Sequence, residues 1–139
     1  MATVIRAQIS EKNKYYIDKH RYYELKHFCL QYGEWKKAYA SCNESIIFTA
    51  GIERMPSSNI PSDLTAKYAL KKLQYGSRIK LIERIAMEAD DFLYPYLLKA
   101  VTEGLSYTHL KSKLNIPCGR DMYYDRYRKF FWLLSEARD

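Results

Sequence analysis

The chain has 139 residues and a net charge of +7, with 47% hydrophobic and 28% charged side chains. That balance excludes a disordered polymer and suffices for one domain, or one small domain with a helical extension. No apolar run approaches the ~18–20 residues that span a bilayer. Three scattered cysteines (Cys29, Cys42, Cys118) without a CxxC pair argue against a disulfide framework and a tetrahedral zinc site.

Met1–Arg6 shows no apolar segment followed by a small-residue cleavage site, so a reducing cytoplasm is the expected location. Residues 51–103 are nearly neutral, with eight basic and seven acidic side chains. The excess sits at the ends: eight against five over 1–50, and seven against four over 104–139. A net positive chain attracts an anionic partner. The 14 tyrosines are expected chiefly to fill the core with their rings, some hydroxyls reaching phosphates.

Residues 1–12 have no period and are expected to fray. From about Lys14 to Tyr32 the stripe Tyr15, Tyr22, Leu25, Cys29 and Tyr32 predicts a helix, with Gly33 just past its end. A short helix from Glu34 to about Cys42 follows, with Trp35, Ala38, Tyr39 and Cys42 on one face. These two make an N-terminal helical hairpin over 1–42. Residues 43–62 read as a connector, punctuated by Asn43, Ser45, Gly51, Pro56, Asn59 and Pro61 and ordered in part by Ile46, Ile47 and Phe48.

Ser62 then caps a long central helix to about Ala89, with a bend expected at Gly76-Ser77. Asp90-Asp91 caps a helix from Phe92 that accommodates Pro95 in its first turn and stops at Gly104. Ser106 caps the barely two turns of Tyr107–Leu114. Asn115–Gly119 is a tight turn, and Arg120 opens a final helix towards Ala137. The expectation is therefore an all-α chain: N-terminal hairpin, long central helix, and a domain over 62–139 ending in a helix-turn-helix at about 92–139.

A two-turn helix, a short turn with a buried aliphatic and a longer basic helix form the helix-turn-helix pattern. Leu110, Leu114 and Ile116 would pin the short helix, leaving the last to lie in the major groove, whose width admits one helix. The apolar side of that last helix is expected at Tyr123, Tyr127, Phe130, Phe131 and Leu134. Candidate DNA contacts are Thr108, Lys111, Lys113, Arg120, Asp121, Tyr124, Arg126, Arg128 and Lys129. Arg120, at the helix start, is the first candidate base reader, with Asp121 and Tyr124 as alternatives. Arg128, Lys111 and Thr108 are expected at phosphates.

The layout resembles the small phage transcriptional activators of the RinA/ArpU type, which end in a domain similar to the promoter-reading region of sigma factors. The resemblance rests on the Tyr32-Gly33-Glu34-Trp35-Lys36-Lys37 step after the first helix and on a linker with Pro56 and Pro61. The linker leads into Asp63-Leu64-Thr65 and the long helix with Arg78-Ile79-Lys80-Leu81-Ile82-Glu83; the terminal Leu105–Arg128 segment completes it. It implies a phage- or prophage-encoded activator in the cytoplasm of a bacterial host, acting on double-stranded DNA near RNA polymerase.

No catalytic set, cofactor motif or metal pair emerges. His20 and His27 lie seven apart, not at the i, i+4 spacing of a ligand pair, and no glycine-rich phosphate loop exists. A second reading, from another class, is a small phage helical protein that binds and inhibits a host protein. Trp35 and Tyr39 would then be protein-interaction anchors, and the N-terminal hairpin would contact that protein, RNA polymerase or a second copy. The discriminating feature is whether Arg120, Arg128 and Lys111 share an exposed face or pair with acids.

Overall fold

A computed structural model describes residues 13–53 and 62–138. Among them it shows six α-helices and no strand: α1 Lys19–Leu30, α2 Tyr32–Glu53, α3 Ser62–Ala89, α4 Tyr94–Glu103, α5 Tyr107–Leu114 and α6 Arg120–Ala137. The expected fraying of 1–12 and the proline-bearing part of the connector, 54–61, lie outside the described residues.

Three local expectations are corrected. First, α1 starts at Lys19 rather than near Lys14. Asn13 Oδ1 accepts the Tyr15 N–H at 2.8 Å, closing a turn, and Asp18 then caps the helix by accepting from His20 N. Second, Gly33 ends nothing. The break is Gln31 alone, in right-handed geometry, and Gly33 lies inside α2. Third, residues 43–53 are helix, not connector, so α2 runs 22 residues. Asn43, Ser45 and Gly51 are exposed or half-exposed there, and they cost up to about 0.7 kcal/mol each for Asn43 and Ser45 and about 1 kcal/mol for Gly51 in helix propensity, which a long helix absorbs. The central helix is also unbroken through Gly76-Ser77.

The chain divides into two compact units. One comprises the chain up to Gln31 with Leu81–Asp139; the other is Tyr32–Lys80. The expected N-terminal hairpin is thereby split, since α1 and α2 fall in different units.

In the first unit, α1 packs on α4 and α6, and α4 packs on α5. The core takes Tyr22, Leu25 and Cys29 from α1, and Ile82, Ile85 and Ala86 from the end of α3. Leu97 reaches it from α4 and Leu93 from the cap just before, and the whole expected stripe Tyr123, Tyr127, Phe130, Phe131 and Leu134 from α6. The aromatic rings meet edge-on, as their quadrupoles prefer: Phe131 lies 5.1 Å from Tyr22 and 5.0 Å from Phe130. The buried hydroxyls of Tyr22 and Tyr127 satisfy each other at 3.2 Å. Arg21 ties α1 to the end of α6, its Nε donating to Ser135 Oγ and its Nη2 to the Ser135 carbonyl, both at 3.0 Å.

In the second unit, Tyr32, Trp35, Cys42 and Thr49 are buried. At Gly76 a Cβ would come within 3.0 Å of Tyr39 Cε2, so the glycine lets that ring lie against the backbone of α3.

Candidate DNA interface

The α5–turn–α6 segment is fixed by short-range chemistry the sequence prescribes. Ser106 Oγ accepts the His109 N–H at 3.2 Å, satisfying one orphan donor of the first turn of α5. Asn115 ends that helix in the left-handed region (φ 53), a conformation asparagine tolerates better than most residues. The Ile116 N–H bonds to the Leu110 carbonyl at 3.2 Å, and both side chains are fully buried. The Tyr107 hydroxyl donates to the Cys118 carbonyl at 2.7 Å, and Lys111 Nζ donates to the Ile116 carbonyl. Five residues of turn are thus held at both ends and in the middle.

That clamp sets what faces outward. Thr108, Lys111 and Lys113 on α5 and Arg120 and Asp121 at the start of α6 are all exposed. Arg120 lies over the Tyr107 ring, 5.1 Å from its centroid, and its Nη2 donates to Thr108 Oγ1 at 3.4 Å. The structure therefore brings Arg120 and Thr108 together across the two helices. Among the described residues, no acid pairs with Arg120, Lys111 or Arg128.

Further along α6 the expected residues sink. Tyr124, Arg128 and Lys129 are half-buried, and the Tyr124 hydroxyl and Arg128 Nε are enclosed without a hydrogen-bond partner. Leaving such atoms unmet among the described residues is costly, so this part of α6 contributes less to the exposed surface than its first turn.

Arg126 is a correction. Instead of looking outward, its Nε donates to Asp90 Oδ2 at 2.9 Å and its Nη1 pairs with Asp125. Asp90 also accepts the N–H groups of Phe92 and Leu93, each at 2.9 Å, which starts the turn into α4. Partial burial pushes the Asp90 carboxyl upward, but the Leu93 N–H, Arg126 and the Phe92 N–H outweigh it and hold the group below its ordinary value. The bond to Asp90 correspondingly raises the Arg126 guanidinium. This pair joins residues 36 apart in sequence, a distance no local pattern reveals.

Of the two protein-interaction candidates, Trp35 is also corrected: it is 7% exposed, with the Arg78 guanidinium 5.4 Å from its ring, and is no free anchor. Tyr39 is half-exposed. Among the described residues no group of three or more histidine, cysteine or acidic side chains is placed to hold a metal, and no helix is long and apolar enough to cross a membrane. Burial pushes the Cys118 thiol up. Comparison with known protein families, characterised proteins and solved structures finds no match.

Proposed function

We propose that this chain is a sequence-specific double-stranded DNA-binding regulator of transcription, reading the major groove through the first turn of α6. The observation that carries this reading is the exposed Arg120, steadied by Thr108 and Tyr107 and, among the described residues, without an acid paired to it, while Lys111 and Lys113 are exposed on α5. Helix-turn-helix proteins place the first residues of the second helix deepest in the groove. An arginine there offers a planar fork matched to the O6 and N7 of guanine. The basic face of α5 would sit at the backbone, positioning rather than specifying. The resemblance to RinA/ArpU-type activators extends the proposal to a phage or prophage activator working in the bacterial cytoplasm with RNA polymerase, without enzymatic activity.

The test selects a preferred duplex from a randomised pool and measures binding to it and to random duplex. Arg120→Ala is expected to weaken the selected duplex by about 1–3 kcal/mol and the random duplex little. Lys111→Ala should weaken both alike and shallow the salt slope by about one. With about six phosphate contacts, affinity should fall roughly a thousandfold between ~50 and ~200 mM salt. A flat salt response would turn the reading to inhibition of a host protein, which the aromatic, half-buried outer side of α6 at Tyr124 favours.

A further inference from the structure

The Tyr32–Lys80 unit carries a groove of about 480 Å³ between α2 and α3. Tyr39 and Ile46 line it from α2, and Leu73 and Gly76 from α3, with Lys72 and Lys80 as its charged members. Leu73 is 70% exposed and Leu70, three residues earlier on the helix, 57%. Large aliphatic side chains left open beside a concavity mark an interaction surface.

The charged residues that line the groove, Lys72 and Lys80, have one sign. From Leu64 to Lys80, α3 holds Lys67, Lys71, Lys72, Arg78 and Lys80 and no acidic residue. Lys72 donates to Asn43 Oδ1 at 2.8 Å and lies 5.3 Å from the Tyr39 ring centroid, so its ammonium is held at the groove wall with its charge uncancelled. Lys80 stands eight residues further on, roughly 12 Å along the axis at the helical rise. A second copy of the chain would set lysine against lysine, which disfavours self-association through this face.

We propose that this groove docks an acidic amphipathic helix of a partner protein. The partner's apolar stripe would meet Tyr39, Ile46 and Leu73, and carboxylates about two turns apart on its flank would meet Lys72 and Lys80. The groove uses none of the residues assigned to DNA, so it stands apart from the preceding proposal.

The experiment titrates the full chain into a labelled peptide of about four helical turns, with leucines at i, i+3 and i+7 and glutamates on the flanks. A second peptide keeps the leucines and replaces every glutamate by lysine. Fluorescence anisotropy should show binding of the acidic peptide only, weakening as salt rises. Leu73→Asp should weaken it by at least about tenfold. Because Leu73 is mostly exposed, the fold should survive, as an unchanged helical circular dichroism spectrum would verify. Lys72→Glu with Lys80→Glu should reverse the preference towards the lysine peptide. Arg120→Ala should leave peptide binding intact, which separates failure here from failure of the DNA reading. Equal binding of both peptides, no binding of the acidic one, or indifference to Leu73→Asp would overturn the proposal. So would displacement of the peptide by plain duplex DNA, self-association that Leu73→Asp abolishes, or Leu73-dependent adsorption to anionic vesicles.

Discussion

The two compact units bury apolar surface to different extents. In the unit built on α1 and α4–α6, the aromatic side chains of the last helix turn inward and meet one another, down to the paired hydroxyls of Tyr22 and Tyr127. In Tyr32–Lys80 the buried apolar residues are Tyr32, Trp35 and Cys42, while Ile47, Phe48, Leu70 and Leu73 each stay more than half exposed. The first unit encloses a large core, although Met87, Phe92 and Met122 stay open at its surface. The second leaves apolar area open. The difference separates the two proposed surfaces: the residues proposed for DNA lie on the unit with the larger core, and the proposed docking groove lies on the one with the smaller.

The contrast is sharpest in stability. Phe131→Ala removes a ring that touches Tyr22, Tyr127 and Phe130, and it should cost about 3–5 kcal/mol in denaturant unfolding. Leu73→Ser, on the open unit, should stay within about 0.5 kcal/mol. A comparable loss at Leu73 would show that this face is covered in the folded protein and would break the comparison.

The Asp90–Arg126 corner gives an intermediate effect. Asp90→Ala should cost about 1–2 kcal/mol, through the lost acceptor for two backbone N–H groups. Because the folded carboxyl lies below its ordinary value, its contribution is fully present above about pH 4. It disappears as pH falls through the folded value. An acid titration of stability should therefore show a drop that Asp90→Ala flattens; an unchanged acid limb in the variant would remove Asp90 from that role.

Glycines give effects of about 1 kcal/mol or less, of opposite sign. Gly104 ends α4 at φ 71, so alanine there should destabilise by about 1 kcal/mol. Gly33 sits inside α2 with nothing within 4 Å of a Cβ, so alanine should stabilise by about 0.4–1 kcal/mol. Melting curves of the two variants should move in opposite directions.

How legible this was depends on range. The α6 stripe, the Ser106 cap and the Asn115–Gly119 turn follow from residues within a few positions of each other, and the sequence carried all of them. Asn43, Ser45 and Gly51 misled because turn-forming residues are also tolerated on the wet face of a long helix. Arg126 misled because its partner lies on another element. The basic run of α3 went unseen for a third reason. Averaged over 51–103, its five cations are hidden among eight basic and seven acidic side chains, whereas the charged residues lining the groove are Lys72 and Lys80 alone. The acceptors that Tyr124 and Arg128 lack had no signature in the sequence.

Cys29 carries a consequence for how the molecule's openings can be timed. Its sulfur belongs to a side chain with no exposed surface, and burial pushes the thiol far above its ordinary value. A thiol reagent needs both access and the thiolate, so alkylation of Cys29 must wait for α1 to part from its neighbours. Cys42 is buried in the other unit, so its alkylation should report an opening there. Native-state labelling, with the modified cysteine identified by mass, therefore reads two clocks in one chain, one for each unit.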